Sequence, residues 1–266
     1  MVTPIPPEAH LVSELPTVDI MIPVLNEAHV LEKSLATVRS FLGRHFPYRW
    51  GILIADNGST DGTRELAQRL ADAYPEVRAV SLDQRGRGRA LRRAWSQSEA
   101  DIMAYCDVDL STELEALETC CRAIWEEGYD IAVGSRLMKE SDIVRGFKRD
   151  VISRCYNLLI KALLFTRFSD AQCGFKAVSK RVVREIVPQI QDEAWFFDSE
   201  LLVLGEKEGY RIKDVPVRWI DDEDSRVKIL STAWEDVRGL IRLRGLLWSK
   251  DFRVTTRAAA ARHAAH

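Results

Sequence analysis

The sequence predicts an α/β protein built on a mainly parallel sheet flanked by helices. Short apolar runs recur along the first half of the chain, each followed by a stretch with apolar residues at helical spacing. The runs end on polar or glycine-rich turns. Such alternation implies right-handed crossovers and parallel neighbours. With 266 residues, 46% hydrophobic and 29% charged, the chain can bury one sizeable core.

Taken in order, residues 1–17 hold Pro4, Pro6, Pro7 and Pro16 and are expected to be a flexible arm. Residues 18–248 are expected to form a single domain, and 249–266 a disordered tail. VDIMIPV (18–24) is the first strand, followed by the loop Leu25-Asn26-Glu27. Val30, Leu31, Leu35, Val38 and Leu42 then mark a helix over about 28–43. WGILIA (50–55) is the second strand and ends at Asp56. In the next turn, Thr60 or Asp61 is expected to cap a helix through Leu66, Ala67, Leu70 and Ala73. A third strand covers 77–82, and Arg85-Gly86-Arg87-Gly88-Arg89 opens another helix. The fourth strand, 102–106, arrives at Asp107-Val108-Asp109. A helix over 112–127 begins at Ser111 or Thr112, and a fifth strand over 129–133 closes at Gly134.

The second half is less regular. It reads as a helix (150–165), a strand (174–178), a helix (194–208), a strand (210–219, with Pro216 at an edge or bend) and an Arg- and Leu-rich helix (230–248). No internal repeat is found.

Composition narrows the function. A net charge of -2 gives no reason to expect nucleic acid. Five cysteines, without C-x-x-C and without a secretory signal ahead of them, fit free thiols in a reduced, cytoplasmic setting. The five histidines do not pair with cysteines at zinc-ligand spacing. No run approaches the ~20 apolar residues that cross a bilayer.

In an extended segment, residues i and i+2 share a side, so Asp107 and Asp109 can converge on one point, where a divalent cation relieves their repulsion. A polar turn explains an isolated D-x-D equally well. Position adds weight, because ligands of such sheets sit at the carboxyl ends of strands. Asn26-Glu27, Asp56, Gly86–Gly88, Asp107–Asp109 and Ser135-Arg136 all fall there. Asp56 either shapes its turn or accepts from a nucleobase N–H. The arginines around Gly86 and Gly88 are either a solvated basic face or a clamp on a diphosphate.

The ordered set Pro23-Val24-Leu25-Asn26-Glu27, Asp56-Asn57-Gly58-Ser59-Thr60-Asp61-Gly62-Thr63 and Asp107-Val108-Asp109 resembles the family-two glycosyltransferases of the GT-A fold (Rossmann-like, nucleotide-diphospho-sugar transferases). Gly134-Ser135-Arg136, Lys148 to Arg154 (KRDVISR), Asp170 to Lys176 (DAQCGFK) and Trp195 to Leu201 (WFFDSEL) are similar to the dolichyl- and polyprenyl-phosphate sugar synthases, in form closest to the dolichyl-phosphate glucosyltransferases. The resemblance spans residues 18 to about 245.

It implies an inverting, metal-dependent transfer of a hexose to a polyprenyl or dolichyl phosphate, with glucose from UDP-glucose as donor. Transfer of mannose from GDP-mannose, or to a soluble acceptor, are the alternatives; a non-catalytic nucleotide-sugar binding module is a third. By the family's motifs, Pro23, Asn26, Glu27, Asp56, Gly86, Arg87 and Gly88 line the nucleotide-sugar site. Asp107 faces the ribose or diphosphate, and Asp109, with Asp107, holds Mg²⁺ or Mn²⁺. The acceptor is a phosphate already anionic near neutral pH. It needs cations more than a base, and Arg136, Arg149, Arg154, Lys176 and Arg226 are the candidates. Asp198 is expected in the catalytic group with Asp107, Asp109, Arg136 and Arg149. Two departures stand out: Asn57 follows Asp56 where the family often has a second aspartate, and Ser111 stands where mannosyl members tend to have glutamine.

A lipid acceptor requires a surface. Residues 151–168 and 238–248 read as basic amphipathic helices able to lie in the bilayer interface or to face a core. The protein is accordingly expected at the inner face of the membrane as a peripheral protein, with a homo-oligomer or a membrane-protein partner as further possibilities.

Overall fold

The computed structural model describes residues 15–144, 146–220 and 229–249. Most of the expected arm, the expected tail after Ser249, and Arg226 lie outside them.

The main sheet has seven strands. They are β1 (Thr17–Val24), β2 (Arg49–Asp56), β3 (Val77–Ser81), β4 (Ile102–Cys106), β5 (Ile131–Ser135), β7 (Phe175–Ser179) and β8 (Ile212–Pro216), in the order β3-β2-β1-β4-β7-β5-β8. β1 lies parallel to β2 with Val24 opposite Asp56, and parallel to β4 with Met21 opposite Tyr105. Their carboxyl ends therefore open on one edge, where the motif loops meet. Strand β7 is antiparallel to both neighbours and puts Lys176 opposite Tyr105 on one side and Val133 on the other. The fold is the predicted mostly parallel α/β sheet, with this single reversed strand.

Central strands read as continuous apolar runs because both faces are covered: Ile20, Met21 and Ile22 of β1 are buried, as are all five residues of β4. The crossover helices are α1 (Leu31–His45), α2 (Thr63–Ala73), α3 (Arg87–Ser96) and α4 (Ala116–Trp125). α5 (Phe147–Leu164), α7 (Phe197–Lys207) and α8 (Ile229–Trp248) follow the expected second half, and α5 and α8 pack on each other.

Several boundaries differ from the sequence expectations. The residue before α2 is Gly62 at φ 93°, not Thr60 or Asp61, although Asp61 Oδ1 accepts the Thr63 N–H at 3.1 Å. α4 starts at Ala116, not at Ser111 or Thr112. The intervening backbone is spent on another strand: Ser111 C=O accepts Ile220 N–H at 2.9 Å, and Glu113 N–H donates to Arg218 C=O at 3.1 Å. The expected strand over 210–219 is two strands. β8 ends at Pro216, and β9 (Arg218–Ile220) leaves to pair in parallel with β6 (Asp142–Val144). β6 and the short helix α6 (Lys180–Glu185) were not predicted, being too short for either periodicity to register.

Candidate active site

The two motif loops at the ends of β1 and β2 are sewn together. Asn26 sits at φ 57°, and its Oδ1 accepts the Thr60 N–H at 2.8 Å. Its own N–H donates to Ser59 Oγ at 2.9 Å. The Glu27 N–H donates to Thr63 Oγ1 at 2.9 Å. Parallel pairing of β1 with β2 puts the loops side by side, and these bonds fix their shape. Asp56 is wholly buried: Oδ1 accepts Ser59 N–H at 3.1 Å and Oδ2 pairs with Arg64 Nε at 3.2 Å. Both oxygens serve the turn, so Asp56 fixes the shape of the loop expected to meet the base. Pro23 lies in β1, opposite Ala55.

The glycine-rich loop proves to be packing as much as loop. A Cβ at Gly88 would run into Phe197 of α7, so the glycine lets α3 and α7 approach. Gly86 N–H donates to Asn57 Oδ1 at 2.5 Å, which gives the residue after Asp56 a role. Arg87 is the centre of the site. Its guanidinium is buried between Asp198 (Nη1 to Oδ2, 2.5 Å) and Asp107 (Nη2 to Oδ1, 2.6 Å), 5.0 Å from the Tyr105 ring and 5.2 Å from the Trp195 ring. A solvated basic face is excluded for it. Arg85 is exposed, and Arg89 pairs with Glu193.

Asp198 is 4% exposed and saturated. Besides Arg87, it accepts from the Tyr105 hydroxyl and lies 3.0 Å from Lys176 Nζ. Burial pushes its carboxyl up, but Lys176 and Arg87 outweigh that and hold it below the usual carboxylate range. A carboxylate so held is a poor proton acceptor, and the expectation of Asp198 among the reacting groups becomes one of an anchor. Lys176 is likewise corrected: it is fully buried, and its Nζ donates to Cys173 C=O at 2.6 Å and to Tyr105 Oη at 3.1 Å. It cannot reach a phosphate at the surface.

β4 ends at Cys106, so Asp107 and Asp109 lie on a turn, not on an extended strand. Asp107 C=O accepts Leu110 N–H at 3.1 Å, with Leu110 at φ 53°. The i, i+2 argument therefore does not apply as stated. Asp107 is half-buried beneath Gly174, where any Cβ would fall on its carboxylate. Asp109 is exposed, and its Oδ1 accepts Ser111 N–H at 3.0 Å. Ser111 thus shapes the turn and does not cap α4.

Among the described residues no three His, Cys, Asp or Glu side chains cluster as a complete metal site. Magnesium and manganese do not need one: one or two carboxylates plus substrate phosphates suffice. The exposed Asp109 and the Asp107 cradle left by Gly174 fit such a half-site.

Of the other predicted cations, Arg136 sits at the end of β5 and pairs with buried Asp170 twice, at 2.8 and 3.0 Å, and 5.6 Å from the Trp219 ring. Asp170 feels burial first, but Arg136 outweighs it and keeps the carboxyl below its ordinary range. The Arg136 charge is thus already matched, so as placed it supports the β5 end more than it offers a free phosphate ligand. Arg149 lies in the first turns of α5 and Arg154 one turn on, exposed, with its Nε 2.7 Å from Asp150. Both lie on α5; Asp56, Asp107 and Asp109 belong to the strand-end cleft. Sequence reasoning missed Tyr105 and Asp170. Tyr105 carries no signal inside an apolar strand, whereas Asp170 stood in a quoted motif without a role.

Residues 19–187 match the profile of the family described as Glycosyl transferase family 2. The chain is 34% identical over 215 residues to glycosyltransferase AglD of Haloferax volcanii, covering 80% of this chain and 34% of that protein, so it spans about a third of that relative. It is 28% identical over 238 residues to the dolichyl-phosphate beta-glucosyltransferase of Dictyostelium discoideum (85% of this chain, 73% of that one). It is 25% identical over 244 residues to that of Saccharomyces cerevisiae (85% and 73%). Among solved structures, glucosyl-3-phosphoglycerate synthase from Mycobacterium tuberculosis, crystallised with Mn²⁺, UDP and phosphoglyceric acid, superposes with a TM-score of 0.66 at 17% identity over 86% of this chain and 78% of that one. The same enzyme with Mg²⁺ and UDP gives 0.65 at 19% identity, over 86% and 79%. At these identities the likeness concerns the fold.

Proposed function

Because the chain belongs to glycosyl transferase family 2, we propose that it moves glucose from UDP-glucose to a polyprenyl or dolichyl phosphate, with inversion and with Mg²⁺ or Mn²⁺. One observation supports this most: Asp107, seated under Gly174 and gripped by Arg87, stands with exposed Asp109 at the strand ends beside the Asn26 and Asp56 loops. Relatives named dolichyl-phosphate beta-glucosyltransferase, matched over 73% of their length, support glucose as the sugar and a dolichyl phosphate as the acceptor.

The residues divide the work. The sewn loops of Pro23, Asn26, Glu27 and Asp56 form the floor against which the base and ribose lie. Asp107 and Asp109 would hold the cation, whose charge neutralises the departing diphosphate. Arg87 fixes Asp107 so that no reorganisation is needed on binding. The acceptor's phosphate oxygen is already a nucleophile, so no general base is required. This agrees with an Asp198 that is locked in a buried ion network. Arg149 and the exposed Arg154, both on α5, are the remaining acceptor-side cations, with Arg226 as a further candidate outside the described residues.

The surface of α5 favours a lipid over a soluble acceptor. Val151, Ile152, Leu158, Leu159 and Phe165 are exposed, Leu158 at 68% and Phe165 at 75%. On α8, Trp234, Ile241 and Trp248 are exposed at intervals of seven, hence along one stripe, with Arg238 over Trp234 and Arg244 over Trp248. Apolar residues beside arginines suit an anionic interface. No helix among the described residues is long and apolar enough to cross a membrane. The test is incubation with Mg²⁺, polyprenyl phosphate and a panel of UDP- and GDP-sugars, read by mass spectrometry, with Asp109→Ala as control. A lipid-linked hexose from UDP-glucose supports the reading; a mannose product from GDP-mannose corrects the donor; no product from any donor overturns it.

A further inference from the structure

α8 has two working faces. The outer one is the Trp234–Ile241–Trp248 stripe. The inner one is bonded to both motifs that build the Asp107 site. Arg242 donates to the two oxygens of Glu200, at 3.1 and 2.8 Å, and Glu200 is fully buried in α7, two residues on from Asp198. A Cβ on Gly239 would collide with the Phe196 ring, so the helix backbone lies directly on WFFDSEL. Asp236, 2% exposed, accepts from Gln172 Nε2 at 2.8 Å, while its Oδ1 has no hydrogen-bond partner. Gln172 belongs to the short segment that holds Arg136 through Asp170, Lys176 through the Cys173 carbonyl, and Asp107 through Gly174.

We infer that Arg242 and Asp236 are positioning residues for transfer: through Glu200 and Gln172 they set the α7 and Asp170–Gly174 segments that hold Asp107 and Arg136, and so tie the seating of α8 to the Asp107 end of the cleft. This explains why a motif glutamine and a motif glutamate point away from the cleft. It also gives α8 a role beyond contact with an interface. The kinetic arm rests on the proposed lipid-phosphate transfer; the exchange arm does not.

Arg242→Leu leaves a buried carboxylate behind, so Glu200→Gln/Arg242→Leu is the companion that removes both charges and guards against simple unfolding. In the full chain, hydrogen–deuterium exchange is followed by mass spectrometry over 170–176, 194–201 and α8. The inference expects both variants to speed exchange in the two motif segments by about tenfold or more, with the thermal midpoint of the double variant near native. Exchange that rises in α8 alone overturns it. With transfer measured, kcat should fall about tenfold in the double variant while the KM for each substrate stays within about twofold. A native kcat once the charges balance in the double variant would reveal a purely structural contact. If the native protein transfers nothing, the functional reading fails, and the exchange result still decides the inference.

Discussion

Replacing Arg87 by Met tests the ion network at its centre. Two cations, Arg87 and Lys176, face two carboxylates, Asp107 and Asp198, so the group is balanced. The substitution leaves two carboxylates and one ammonium. Arg87, Asp198 and Lys176 are nearly or wholly buried, and breaking such a pair costs about 3–5 kcal/mol because the remaining charge stays desolvated. The Asp107 side chain is 42% exposed, so water recovers part of its share and the lower end, about 3 kcal/mol, is expected. That is a large fraction of the roughly 5–15 kcal/mol that holds a domain folded. Arg87→Met/Asp198→Asn removes both partners and should lose less than the sum of the singles by about 2 kcal/mol. Urea unfolding followed by tryptophan fluorescence measures all four corners. A single-variant loss under about 1 kcal/mol, or strict additivity, would refute the reasoning.

Three further outcomes are expected. Burial, reinforced by Asp192, raises the Asp236 carboxyl to about 7 despite the Gln172 bond. A carboxyl raised on folding stabilises below its ordinary range, near 4, and loses that contribution as pH climbs toward 7. Asp236→Asn keeps the acceptor for Gln172, so unfolding curves should show it matching the native chain at pH 4 and exceeding it at pH 8, by a few kcal/mol at most; an equal difference at both pH values contradicts this. Gly174→Ala should keep native circular dichroism yet cut kcat by about a hundredfold, since the methyl displaces Asp107; unchanged turnover would show that Asp107 has room to move. Finally, the protein should co-sediment with anionic liposomes and be released by salt, and Trp234→Ser/Trp248→Ser should weaken that binding; a native protein left wholly in the supernatant would count against the α5–α8 surface.

Much of the fold was legible because the parallel strands are buried on both faces and read as unbroken apolar runs. β4 is such a run, as is β1 from Ile20 onward, and turn chemistry marks where they stop. What escaped was set by tertiary pairing. β9 takes the backbone after Asp109 that helical periodicity assigned to α4, and β7 inserts antiparallel where alternation implied parallel order. In the site, motif positions were visible but the state of each side chain was not. Asp198 and Lys176 look like reactive groups in a sequence; only burial beside Arg87 and Tyr105 makes them anchors. Tyr105 had no signal at all. Asp109 and Gly174 kept a functional look, the first by exposure and the second by leaving room for a carboxylate.

Inverting transfer to a lipid phosphate is read from the anomeric configuration of the product. UDP-glucose and a short polyprenyl phosphate are incubated with the protein and Mg²⁺, and the lipid fraction is examined by proton NMR while released UDP is counted. Inverting transfer gives a β-glucosyl phosphate formed in step with UDP and lost in Asp109→Ala. An α-glucosyl phosphate, or UDP released with free glucose and no sugar on the lipid, would contradict it.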